Sequence, residues 1–460
     1  MMKRETCKLL VLGAGPGGYV CAIRAAQLGI DTIVVEEKQP GGTCLNVGCI
    51  PSKALIHAAD EFAKAQSFAM GSVLGITAGT PRIDLAKTID WKDGIVSRLT
   101  QGVSGLLKKA GARYVQGRAM VLDGKSVEVS TPDGLLNIRT ENLVLATGSR
   151  PLELPFLPFG NQVISSTGAL SLAAVPSTLC VVGGGYIGLE IGMAMAKLGS
   201  QVSVVEATDR LLPQFDAALT QPLNGRLKEL GVAVHLNTLA RGLDANGQSI
   251  VVEMDGITSE LPADKILVAV GRQPVVDGFG LEDLGLEMAG NFIAIDDRCA
   301  TSMRGVYAIG DITGDPMLAH RAMAQGTVVA EQIAGHSTRW DKRAIASVCF
   351  TDPEIVSVGA MPGDIPGSKS SSFPFAANGR SLTIERGDGF VRVVYDPASE
   401  LVHGIQAVGA GVSELAGEFS LALEMAATLR DVADTVHAHP TLGETVQEVN
   451  LLALGQAVHI

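Results

Sequence analysis

The sequence predicts an α/β protein of two Rossmann-like dinucleotide-binding units followed by a smaller α+β unit, and three observations predict it. An apolar run over residues 7–12 ends in Gly13-Ala-Gly15-Pro-Gly-Gly18, continues as a helical stretch to Leu28, and returns as a second apolar run closed by Glu36. The same unit recurs: an apolar run ending at Val182, Gly183-Gly-Gly185-Tyr-Ile-Gly188, a helical stretch to Leu198 and a strand ending at Glu206. From about residue 345 the pattern turns strand-like and then helical.

In each glycine turn the residue types match a physical demand. Gly13 permits the tight turn, Gly15 lets backbone approach a pyrophosphate, and Gly18 lets the helix pack on the strand. The helix N-terminus then holds the phosphates, and Glu36 accepts hydrogen bonds from a ribose diol. The acid follows the first glycine by 23 residues in both copies, 13 to 36 and 183 to 206. Two dinucleotide sites imply two dinucleotides and an electron relay between them. Glu206 would repel a 2′-phosphate and can bond a free 2′-OH, so the second site is read as one for NAD.

Composition narrows the function class. The 460 residues are 47% hydrophobic, enough for a large core, with a net charge of −12 and only 4% aromatics. No basic run with interleaved aromatics exists to bind nucleic acid, and no apolar run approaches a membrane span. Lys8 and the glycines interrupt any leader-like apolar core near the N-terminus. Of seven cysteines, Cys7, Cys21, Cys180, Cys299 and Cys349 are widely and irregularly spaced, which predicts buried free thiols and a cytoplasmic setting.

Residues 41–53 read GGTCLNVGCIPSK. Cys44 and Cys49 stand between a glycine pair and Pro51, taken as a turn breaker, before an alanine-rich helix over 54–68. Cys49 therefore lies near a helix N-terminus, which favours its thiolate. Alone, the spacing fits two unrelated thiols; directly after a dinucleotide-binding unit, it reads as a redox-active disulfide.

This segment resembles the active-site signature of the flavoprotein disulfide reductases, and the similarity runs over essentially the whole chain. Leu45, Ile50 and Ser52 most resemble the lipoamide dehydrogenase branch. The resemblance implies FAD in residues 1–150, NAD in 151–272, a central region completing the FAD site in 273–342, and an interface domain in 343–460 that makes a homodimer. It puts Lys53 and Glu190 together beside the flavin, ends the flavin domain at Thr147-Gly148, closes the second unit at Gly271, assigns Asp311 to the ribitol, and turns the helix starting near Ala319 toward the flavin ring. Tyr186 departs from the small aliphatic residue common here in the lipoamide dehydrogenase branch and resembles the tyrosine that covers the flavin in glutathione reductase, which suggests a mobile gate. His439, supported by Glu444, matches the family base, with a cis bond to Pro440; His437 is the weaker candidate, and His320 is read as structural. No further ligand cluster supports a metal.

The implied reaction oxidises dihydrolipoamide with NAD+, in partnership with the lipoyl-bearing acyltransferase of a 2-oxoacid dehydrogenase complex. A reductase running from NADPH to glutathione is opposed by Glu206 and the Leu45/Ile50 variant, and a flavin-bearing scaffold without turnover by the joint presence of Cys44, Cys49, His439 and Glu444. Between the motifs, residues 69–83 read as a surface excursion, 91–111 as a helix, and 113–145 as a hairpin-rich insert turning at Asp123-Gly124 and Asp133-Gly134.

Overall fold

A computed structural model describes residues 3–460. The first unit is built on the strand Lys3–Leu12, which pairs in parallel with Thr32–Glu36 on one side and Gly134–Leu145 on the other. Its residues 9–12 are fully buried on both faces, the mark of a central parallel strand covered by helices. Gly134–Leu145 also carries the expected meander, pairing antiparallel with Ser126–Thr131, which pairs with Arg118–Asp123. The helix expected over 91–111 is longer, Leu85–Ala110, capped by the Asp84 side chain on the Lys87 N–H and stopped by Gly111 in the left-handed region.

The second unit repeats the plan. Thr178–Val182 lies in parallel between Gln201–Val205 and Lys265–Val268, with Ala233–His235 and Val163–Ile164 outermost. The third unit is a five-stranded antiparallel sheet in the order Ser347–Cys349, Glu354–Gly359, Val402–Gly409, Phe390–Tyr395, Lys369–Pro374, packed against Ala416–Glu424 and Glu444–Ala453.

Residues 273–342 have their apolar side chains in the core of the first unit: Leu281, Ile293, Val306 and Ile312 pack with Leu10, Ile33 and Leu143. Val306–Ala308 adds a parallel strand beside Gly134–Leu145, and the helix Ala319–Ile333 lies along Pro16–Gln27. That helix pair is close because Gly326 has no side chain; a Cβ there would stand 2.5 Å from the Gly17 oxygen. Another cluster joins all three units, with Leu55 and Ala59 of the first, Leu189 and Val204 of the second, and Ile355 and Val408 of the third in one apolar core.

No helix among the described residues is long and apolar enough to cross a membrane. All five cysteines outside the motif are buried and free.

Candidate active site

The two glycine turns are close copies. A Cβ on Gly13 would meet the Ala146 oxygen at 2.3 Å and one on Gly183 the Ala269 oxygen at 2.6 Å, and both residues have positive φ (97° and 107°). A Cβ on Gly18 would lie 1.9 Å from the Gly13 oxygen, and one on Gly188 would lie 2.5 Å from the Gly183 oxygen. Gly15 and Gly185 have free space instead, with nothing nearer than Gly42 Cα at 3.9 Å for the first and nothing within 4 Å for the second. Four glycines are therefore required by packing, and two keep the helix N-termini clear for a ligand.

The acids serve the turns as well. Glu36 Oε2 accepts the Ala14 N–H at 2.9 Å and Oε1 the Lys38 N–H at 3.0 Å. Glu206 repeats this, with Oε2 accepting Gly184 N–H at 2.6 Å and Oε1 accepting Thr208 N–H and Oγ1–H, both at 2.8 Å. Spacing alone assigned these carboxylates to ribose; in the structure each also latches its own glycine loop.

A cavity of about 670 Å³ runs from Gly15 and Glu36 past Cys44, Cys49 and Lys53 to Tyr186 and Asp311. Cys44 sits on the short helix Gly42–Asn46, and Cys49 is the first residue of Cys49–Met70. Pro51 does not break that helix. It falls in the first turn, where the missing N–H has no intrahelical partner to lose, so the helix begins five residues before the expected start. The two short connections fold tightly, since a Cβ on Gly48 would meet the Thr43 oxygen at 2.9 Å.

Here the cysteines are free thiols in hydrogen-bond contact, and their acidities diverge. The Cys44 S–H donated to Cys49 holds the Cys49 thiol at about 7, below its ordinary 9.0, against an opposing push from burial and with help from Lys53. The same bond, with burial, drives the Cys44 thiol strongly upward. Cys49 is thus the more acidic thiol of the pair and Cys44 the less acidic.

Lys53 Nζ lies 2.8 Å from Glu190 Oε2, the expected pair, and Glu190 is only 4% exposed. A third member carries no signature in the sequence: the Phe350 N–H donates to Glu190 Oε1 at 2.9 Å, and Lys53 Nζ stands 4.2 Å from the centre of the Phe350 ring.

At the far wall, Thr147 Oγ1 donates to the Val275 oxygen at 2.6 Å, Gly148 has φ 74°, and Ser149 Oγ bonds Asp311. Arg272 Nε donates to Ser149 Oγ at 2.8 Å, one residue after Gly271, whose φ is 137°. Neither Ser149 nor Arg272 was singled out in advance. Ala319 opens the helix Ala319–Ile333 and lines the cavity, so unpaired N–H groups face inward. Tyr186 lines it too, its hydroxyl pushed up to about 12 by burial. The clear space at Gly15 continuing to Lys53, Asp311 and the Ala319 helix end fits a flavin dinucleotide along the cavity's length.

His439 and Glu444 are in hydrogen-bond contact: His439 Nδ1 and Glu444 Oε1 are 2.8 Å apart, Glu444 Oε2 accepts the Thr441 N–H at 2.8 Å, and His439–Pro440 is cis. Burial would raise the Glu444 carboxyl, but the Thr441 N–H and His439 bring it below its usual range. The His439 side chain is 80% exposed, whereas that of His437 is 8% exposed and has both nitrogens engaged, by Glu418 Oε1 at 2.7 Å and the Thr435 oxygen at 2.8 Å. Neither His439 nor Glu444 lines the cavity of its own chain. His320 Nε2 meets the Ala346 oxygen at 3.0 Å, a structural contact. Among the described residues no group of three His, Cys, Asp or Glu side chains is placed to hold a metal.

Residues 7–326 match the family described as pyridine nucleotide-disulphide oxidoreductase, and residues 345–450 match its dimerisation domain. The chain is 55% identical to dihydrolipoyl dehydrogenase of Pseudomonas aeruginosa, covering 98% of each, and 44% identical to that of Geobacillus stearothermophilus, covering 98% of this chain and 97% of the relative. Among solved structures, LpdA from Mycobacterium tuberculosis superposes with a TM-score of 0.89 at 26% identity, covering 98% of this chain and 99% of that one.

Proposed function

Because the chain belongs to the pyridine nucleotide-disulphide oxidoreductases, we propose that it oxidises a dihydrolipoyl dithiol to the lipoyl disulfide with reduction of NAD+, using FAD. The observation that carries this reading is the placing of Cys44 and Cys49 beside the Lys53–Glu190 pair on one cavity, with Cys49 the more acidic thiol. A flavin in the cavity supplies two-electron acceptance and hydride delivery to nicotinamide, chemistry that no side chain offers.

The chain's own residues handle protons and sulfur. Glu444 accepts a hydrogen bond from the Nδ1–H of His439, which leaves Nε2 free to accept a proton from a substrate thiol. The substrate thiolate attacks Cys44 Sγ of the oxidised pair; the Cys44–Cys49 bond breaks, and Cys49 leaves as the stabilised thiolate. The second substrate sulfur then loses its proton and attacks the first, closing the lipoyl disulfide, and Cys44 departs and is protonated. Two electrons have passed from the dithiol to the cysteine pair. Lys53 holds positive charge beside the flavin, fixed by Glu190, while Gly13, Gly15, Gly18, Thr147, Gly148, Asp311 and Ala319 hold FAD. Gly183, Gly185, Gly188, Glu206 and Gly271 form the NAD side, with Tyr186 between the two.

The exposed His439–Glu444 dyad serves the cysteines of a second copy, so the homodimer is the working unit; the match to the dimerisation domain supports this. The names of the relatives support a lipoyl-bearing acyltransferase of a 2-oxoacid dehydrogenase complex as partner, and five buried free thiols support a cytoplasmic setting. One assay matrix tests the reading: dihydrolipoamide with NAD+ against oxidised glutathione with NADPH. Turnover confined to the second pair overturns it.

A further inference from the structure

We infer that Phe350 is a positioning residue for the redox centre, its ring and its backbone N–H together fixing Lys53 and Glu190 beside the cysteine pair. The inference rests on the function proposed above and assigns a task to the third unit within it.

Phe350 touches both members of the pair. Its ring centre is 4.2 Å from Lys53 Nζ, and its N–H donates at 2.9 Å to the Glu190 oxygen that Lys53 does not use. Glu190 is buried, so its second oxygen needs a donor. Lys53 is held on one side by a carboxylate and on another by the face of an aromatic ring, a contact that attracts a cation and keeps water from it.

The ring cannot follow a wandering lysine, because its segment is pinned. The strand Ser347–Cys349 runs up to Phe350, and Thr351 Oγ1 donates to the Pro353 oxygen at 2.7 Å. The Asp352 carboxylate accepts from Lys197 Nζ at 2.7 Å, Arg226 Nε at 3.0 Å and Arg386 at 2.7 Å. Within one chain the groups that act on Cys49 are Cys44, Lys53, Glu190 and Tyr186, with the His439–Glu444 dyad of a second copy facing the pair in the dimer proposed above, and Lys53 is the one permanent cation among them. After the hydrogen bond from Cys44, the place of Lys53 is what adds most to the thiolate at Cys49, and Phe350 helps fix where Lys53 stands.

The test uses the reduced holoenzyme and reads the pH dependence of Cys49 alkylation by iodoacetamide, mapped by peptide mass. No turnover is needed, so the wrong lipoyl substrate would leave the result intact. Codon suppression replaces Phe350 with mono-, di- and trifluorophenylalanine, which keep the ring's shape and progressively weaken the attraction of its face for a cation. The Cys49 profile is expected to move to higher pH in steps, with alkylation near pH 6.5 falling to roughly a third to a tenth of wild type at the end of the series. Phe350→Leu, which keeps the N–H and loses the ring, should fall at least as far; should that chain fail to fold, the fluorinated series decides alone. An alkylation profile indifferent to fluorination overturns the proposal. So does a fall in kcat with that profile unmoved, the mark of a packing role.

Discussion

Removing Cys44 should disarm Cys49 without touching it. The largest influence lowering the Cys49 thiol is the hydrogen bond donated by Cys44, while burial pushes the other way and persists in any variant. In Cys44→Ala the donor is gone and the desolvation stays, so only Lys53 and the helix N-terminus oppose it. A thiol held near 7 is about half thiolate at neutral pH; returned to its ordinary 9.0 it is about 1% thiolate. Alkylation of Cys49 at neutral pH should slow between tenfold and fiftyfold, and its midpoint should climb toward 9. Cys44→Ser keeps an O–H donor at the same distance along the side chain and should fall between Ala and wild type. Stopped-flow alkylation of the flavin-loaded, prereduced variants over a pH series measures this. A midpoint still near 7 in Cys44→Ala would refute the assignment of Cys44 as donor and hand the effect to Lys53.

Three further outcomes follow from the geometry. Glu206→Arg should move the ratio of kcat/KM from NAD+ toward NADP+ and raise KM for both, because the Gly184 N–H loses its acceptor; an unmoved ratio in steady-state assays places the ribose elsewhere. Asp352→Asn leaves Lys197, Arg226 and Arg386 under-compensated and should cost about 3 kcal/mol at pH 7 by urea unfolding. The Asp352 carboxyl meets a burial penalty, but the cations outweigh it and hold it well below its ordinary 3.8. Its stabilising contribution is therefore complete above that value and lost as pH falls through the lower folded one, and the gap between variant and parent should narrow in acid. Finally, a heterodimer of one Cys49→Ser chain and one His439→Gln chain should recover roughly half of wild-type activity, one intact site of two; a verified heterodimer no better than its parents rules out a shared site.

What could be read from sequence was whatever a short stretch of chain decides by itself. Gly18 is demanded by the oxygen of Gly13, five residues earlier, so the pattern announces the turn. His439 and Glu444 lie five residues apart across a Pro-Thr turn, and their hydrogen bond was legible for the same reason. The Lys53–Glu190 pair spans 137 residues and came only with the family resemblance. Phe350, 160 residues from Glu190, acts partly through a backbone N–H, which no residue type encodes. Arg272 and Ser149 were hidden likewise, being 123 residues apart on strands that meet only when the two units pack. Pro51 was misread because a proline marks a helix start as readily as a stop, and the deciding fact is the carbonyl geometry one turn earlier.

The paired latches, Glu36 on Ala14 and Glu206 on Gly184, bear on how such a chain can change over generations. A carboxylate that closes its own glycine loop, at the place proposed above for the ribose, cannot be exchanged for a basic residue without opening that loop. A lineage adopting a phosphorylated nicotinamide would have to refit the turn first, or pass through an intermediate that binds neither cofactor well. The duplicated unit carries the same restraint twice, so drift in cofactor preference at one site is resisted by the bond that gives the loop its shape, whatever selection acts on the reaction.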